Sequence, residues 1–132
     1  MDEAQVYLEI AERALSAATG ALEKCIHEKA AFLGYHAFEP IGGAFCRRRG
    51  GLYPGAHKKK LSRFVHDTKR ERYSGHVATL AVEYASLRNL LLYPAMTASG
   101  IIKAPKDALS KAQAERLIGR TVTLIKKVRP CV

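Results

Sequence analysis

The sequence predicts an all-α protein, a five-helix and largely up-and-down bundle in a single domain spanning residues 1–132. Two observations carry this prediction. Apolar residues recur at alternating spacings of three and four through most of the chain, which is the repeat of a helix with one buried face. The segments bearing that repeat are joined mostly by short connections rich in Gly, Pro or polar residues, as packed helices require.

The first helix shows the clearest pattern. Ala4, Leu8, Ala11, Leu15, Ala18, Leu22 and Cys25 form one stripe, with Glu9, Glu12, Arg13 and Glu23 lying off it. Alanines within that stripe allow a neighbouring helix to come close. The second helix is expected over about Glu28 to Arg49, burying Ala30, Leu33 or Gly34, Ala37, Ile41, Ala44 and Phe45. Pro40 removes one helix hydrogen bond and is expected to kink it. Gly34, Gly42 and Gly43 weaken a helix by propensity, so close backbone approach is the benefit expected of them. Gly50 and Gly51 end the helix, and "GGLYPGA" reads as a loop.

A shorter basic helix follows over about His57 to His66, and residues 67–72 lead to a fourth helix over about Tyr73 to Tyr93. Its stripe is Val77, Leu80, Tyr84, Leu87 and Leu91, and Pro94 is expected to stop it. "AMTASGIIKAPKD" reads as a loop. The last helix, "KDALSKAQAERLIGRTVTLIKKV", offers Ala108, Ala112, Leu117, Val122, Ile125 and Val128 for packing.

A chain of 132 residues with 48% hydrophobic and 26% charged residues has the composition of a folded globular protein rather than a disordered one. Its apolar runs are shorter than the roughly 20 residues of a membrane span. The opening "MDEAQVYLEIAER" is acidic and amphipathic, unlike a secretory signal or transit peptide, so a cytoplasmic location is expected. Cys25, Cys46 and Cys131 form no CxxC pair, which argues against a disulfide framework or a cysteine-rich zinc site and for free thiols. The five histidines show neither HxxxH nor HExxH spacing, so no metal site and no cofactor is expected.

The net charge of +10 is concentrated. Between Arg47 and Arg72 ten Lys or Arg face only Asp67 and Glu71. Such a block is either a solvated face or a surface that meets an anionic partner, RNA or nucleotide phosphate in particular. Arg47, Arg48 and Arg49 close the second helix, while Lys58, Lys59 and Lys60 open the third with Arg63 one turn further on. A short loop between the two helices brings both triplets to one end of the bundle. The arginine triplet also complements the dipole of its own helix, a purely structural role.

The other notable stretch is "SLRNLLLYP", Ser86–Pro94. Arg88 follows Tyr84 by four residues and Leu87 by one, so it flanks the apolar stripe instead of opposing it. An arginine there must snorkel outward, pair with an acid such as Glu83 or Glu39, or point into a cleft or a subunit interface. Asn89 adds a donor and an acceptor beside it.

Taken together, these pieces resemble the HEPN domain family of helical nucleotide- and RNA-associated proteins. "AAFLGYHAFEPIGGAF" followed by "RRRG" is similar to the family's aromatic-rich second helix, "AHKKKLSRF" resembles its "SHKGVIxxF", and "SLRN" stands where the family carries an Arg-polar motif. The resemblance spans almost the whole chain, and it implies a five-helix fold. It also implies kinship with metal-independent ribonucleases in which an Arg and its polar neighbour are followed, four to six residues after the Arg, by a His, usually with two copies of the motif meeting in a homodimer. Carried onto this chain, Arg88 and Asn89 match, and Tyr93 stands in place of the histidine. A tyrosine with an ordinary pKa near ~10 is a poor general base at neutral pH, though it can hydrogen-bond or stack on a base. His36 is the leading alternative histidine, because "YHAFE" is expected to face inward near the fourth helix; His57 and His76 are further alternatives. The family also contains non-catalytic members that pair with small nucleotidyltransferases in toxin–antitoxin arrangements. A partner or adaptor of that kind, or of a ribonucleoprotein, is therefore the competing expectation.

Overall fold

The computed structural model describes residues 1–93 and 95–132. Among these the chain forms five α-helices: α1 (Glu3–Glu23), α2 (His27–Arg48), α3 (His57–Asp67), α4 (Ser74–Leu87) and α5 (Lys111–Val128). The result is an all-α helical bundle, as the hydrophobic periodicity predicts. None of the helices is long and apolar enough to cross a membrane.

Helix α1 begins in a capping box. The Asp2 side chain accepts from the Gln5 N–H, and Gln5 Oε1 accepts from the Asp2 N–H, both at 2.9 Å. Its predicted stripe faces the core, with Ala4, Ala11 and Ala18 buried and Leu8, Leu15 and Leu22 packed beside them. Cys25 departs from the stripe. It lies beyond the helix end with a positive φ of 61° and is exposed, because the chain must reverse there to enter α2.

Helix α2 is the central element and packs against α1, α3 and α5. It is buried nearly all round, including Tyr35, Phe38 and Glu39, and not along a single face. Sequence periodicity treats α2 as a surface helix because interspersed polar residues dilute its apolar signal. All three of its glycines mark close approaches, Gly43 against the Tyr7 ring. A Cβ at Gly34 would lie 2.6 Å from both Ile118 Cδ1 and the Tyr84 hydroxyl, and one at Gly42 would lie within 2.9 Å of Phe64. Gly34→Ala should therefore destabilise the fold by about 1–2 kcal/mol, overpacking outweighing the gain in helix propensity. Chemical denaturation checks this, and a stabilised variant would refute it.

Three expectations change. Helix α4 ends at Leu87, not Tyr93, and Arg88 is its C-cap. Beyond it the chain continues in turns, with the Leu91 N–H donating to Leu87 O and the Tyr93 N–H to Asn89 O, while fully buried Leu91 ties this segment to the core. The stop assigned to Pro94 lies outside the described residues. The segment read as a loop contains a short antiparallel hairpin, β1 (Ala95–Met96) with β2 (Ile102–Lys103), which turns through Gly100 at φ +82°. Helix α5 starts at Lys111, capped by Ser110 with Gln113, so Ala112 is exposed and Ala114, Ile118, Thr121 and Leu124 join the packed face. The Ser-x-x-Gln spacing at 110–113 is the signal for that start.

Candidate functional site

A single buried carboxylate organises the most chemically loaded part of the molecule. Glu39 sits on α2, one turn after Tyr35, and is 6% exposed. A carboxylate in that position is costly unless several donors surround it. They do so here. The Tyr35 hydroxyl donates a short hydrogen bond to Oε2, His57 Nδ1 lies 2.9 Å from Oε2 and 3.1 Å from Oε1, and Lys60 Nζ lies 3.2 Å from Oε1. The Tyr53 hydroxyl donates to the Glu39 backbone oxygen at 2.5 Å. His57 and Lys60 are three residues apart in the first turns of α3, so helix geometry aims both at the same carboxylate.

These contacts determine protonation. Burial raises the Glu39 pKa, but the hydrogen bonds from Tyr35, His57 and Lys60 outweigh it, and the net shift is downward. An ionised carboxylate only accepts, so His57 must donate from Nδ1. In a neutral ring Nε2 would then carry the lone pair, and the buried acid behind it holds the ring in one orientation. The Tyr35 phenol is pushed up, first by burial and then by Glu39, and stays neutral.

His36, also on α2, packs edge-on against Phe32 and Tyr35, with ring centroids 4.4 and 5.6 Å apart. Burial lowers its pKa, Glu39 opposes the shift, and His57, Arg88 and Lys60 reinforce it. At neutral pH it is an uncharged, half-buried imidazole. Arg88 reaches this cluster from the end of α4, close enough for its charge to lower the pKa values of Tyr35 and His36. Neither carboxylate proposed for it is its ion-pair partner: Glu83 is bound by Arg120 at 2.8 Å, and Glu39 holds His57 and Lys60.

The predicted residues thus divide into groups. His36, Lys60 and Arg88 converge. Asn89 and Tyr93 lie on the exposed turns after Arg88, and Tyr93 is 62% exposed. The arginine triplet is occupied by internal contacts: Arg47 pairs with Glu3 at 2.6 Å, Arg48 with Asp2 at 2.7 Å, and Arg49 with Glu71 at 3.5 Å while its guanidinium lies over Phe45. Two of these pairs tie the end of α2 to the start of α1. Arg63 pairs with Asp67. Lys58 and Lys59 are exposed and have no ion pair among the described residues, so they are the loosest cations of the predicted phosphate-binding set.

Tyr35 and Tyr53 are the members that the sequence-based choice of site residues omits, His57 enters it only as a further alternative to His36, and Glu39 only as a candidate partner of Arg88. A glutamate inside the apolar run "AFEPI" is the signal that marks them, since a charge there must gather partners. Tyr35 lies one turn away on the same helix, but Tyr53, His57 and Lys60 are 14 to 21 residues away, a distance no local pattern spans. Among the described residues no three His, Cys, Asp or Glu side chains are grouped to hold a metal ion. No protein-family model matches the chain, and no curated protein matches it.

Proposed function

We propose that this is a HEPN-type, cytoplasmic RNA-associated protein that binds the phosphodiester backbone at the Glu39 cluster and cleaves it without a metal. The observation that carries the proposal is the pairing of His57 Nδ1 with buried, ionised Glu39, beside Lys60 and an Arg88 that neither Glu83 nor Glu39 claims as an ion-pair partner. The chemistry follows from those groups. A guanidinium and an ammonium attract and orient a phosphate. An oriented imidazole then takes the proton from the ribose 2′-hydroxyl as its oxygen attacks phosphorus. The 5′-oxygen leaves with that same proton, returned by the His57 imidazolium, and a 2′,3′-cyclic phosphate remains on the other fragment. His36, uncharged at neutral pH, flanks the cluster as a neutral hydrogen-bonding group. Lys58 and Lys59 extend the attraction along the strand. On this reading Tyr93 is a stacking or positioning group at the rim rather than a replacement base.

The test is incubation of a mixed RNA with the purified protein in EDTA, beside His57→Ala and Tyr93→Phe. Cleavage should fall by about 10²–10⁴-fold in His57→Ala and stay within about threefold of wild type in Tyr93→Phe. Equal cleavage by wild type and His57→Ala would remove the base assigned here. Absence of cleavage by wild type, with no RNA affinity at physiological salt, would favour the partner or adaptor role. The internal pairing of Arg47, Arg48 and Arg49 supports that second role, since it leaves fewer cations for RNA.

A further inference from the structure

Helices α3 and α4 diverge on the face away from the core and leave an open groove of about 490 Å³ between them. Its floor is apolar, made by Leu61 and Val65 of α3 and Ala81 and Val82 of α4. Val82 is 68% exposed, an unusual position for a β-branched aliphatic residue on a helix with small neighbours. Lys58 and Lys69 stand toward the two ends of the rim, and no Asp or Glu lines the groove. The acids nearest in sequence are engaged elsewhere, Asp67 with Arg63 and Glu83 with Arg120.

We propose that this groove is a docking site for an acidic amphipathic helix of a partner protein. Three features select that occupant. The floor offers aliphatic surface and few polar groups, which suits side chains spaced at i, i+3, i+4 and i+7. Alanines along the α4 side let a helix backbone approach closely. Lys58 lies in the first turn of α3 and Lys69 just past its end at Asp67, a separation of about nine helical residues or more, roughly 14 Å, so they reach the flanks of a helix of about three turns. A second copy packed groove to groove would set these lysines against each other, so the charge pattern disfavours a symmetric pair and favours a partner with acidic flanks.

The probe is a synthetic helical peptide of about three turns, with leucines at i, i+3/i+4 and i+7 and glutamates on both flanks. Its binding to the intact protein is read by fluorescence anisotropy beside a lysine-flanked peptide with the same leucines. The acidic peptide should bind in the micromolar range and the basic one about tenfold or more weaker. Val82→Glu, an exposed position that does not test the core, should weaken the acidic peptide at least about tenfold, and Lys69→Glu should erase the preference between the two. Three outcomes overturn the proposal. One is equal binding of both peptides, or undiminished binding to Val82→Glu. Another is a dimer that Val82→Glu converts to monomer in sedimentation, which would assign the groove to a second copy. The third is loss of RNA affinity in Val82→Glu, which would make it a nucleic-acid surface.

Discussion

Replacing Arg88 with alanine is expected to lower RNA cleavage in EDTA by about 10²–10³-fold while leaving the protein folded. The size follows from what the side chain offers. A guanidinium held beside a partly buried cluster stabilises phosphate charge more than the same group in bulk water, because the surrounding dielectric is lower. The small effect on stability follows from its place. Arg88 is the C-cap of α4, half-buried, with neither Glu83 nor Glu39 as its ion-pair partner. Its removal therefore costs the macrodipole contribution of a cation at a helix end, about 0.3–1 kcal/mol. Arg88→Lys separates charge from geometry: it keeps the positive charge and loses the two-pronged contact, so partial activity is expected. Thermal melts run beside the cleavage assay distinguish a lost site from a lost fold. Full cleavage by a well-folded Arg88→Ala would remove Arg88 from the site.

The second large effect concerns Glu39, and its first readout is stability. Glu39→Ala leaves the Tyr35 hydroxyl and the inward-facing donors of His57 and Lys60 without their shared acceptor. It also cuts the main polar link between α2 and the start of α3. A loss of about 2–4 kcal/mol is expected, toward the lower end because Lys60 and His57 can turn to water. Glu39→Gln keeps the shape and one acceptor, and should cost about half as much.

The pH dependence carries the sign of the shifts. Glu39 has a folded-state pKa below its ordinary 4.5, so its contribution is complete above that value and is lost as pH falls through the folded one. His36 is also depressed from its ordinary 6.5. The unfolded chain therefore takes up its proton first, and stability begins to fall once pH drops below about 6.5. Urea denaturation from neutral pH downward should show both phases in wild type; Glu39→Gln should keep the higher phase and lose part of the lower one, to which Asp2, held down by Arg48, also contributes, and His36→Gln should show only the lower one. Parallel wild-type and Glu39→Gln curves below pH 4.5 would refute the Glu39 assignment.

The helical bundle was legible in the residues because burial of one face imposes a period that survives without knowledge of partners. The α1 stripe as far as Leu22 and the core positions Val77, Leu80 and Tyr84 follow from that period, while the end of α2 follows from Gly50 and Gly51. The end of α4 was not legible. Leu91 fits the helical repeat, yet it reaches the core from a turn, and spacing cannot distinguish a buried helical leucine from one buried by a chain reversal. Charge density was legible, whereas charge availability was not. "RRRG" reads as a phosphate-attracting cluster until folding brings Asp2, Glu3 and Glu71 against it.

By itself, the sequence determined that the chain is helical, where its helices lie apart from the end of α4 and the start of α5, and that cations gather between Arg47 and Arg72. Local hydrogen bonding and the transfer of apolar groups from water depend on neighbours close along the chain, so they leave a periodic trace. Only the tertiary structure decided which charges are engaged internally and which converge on Glu39. Those pairings join α2 to α3 beside the end of α4, and the free energy of a buried carboxylate depends on donors that arrive from distant segments.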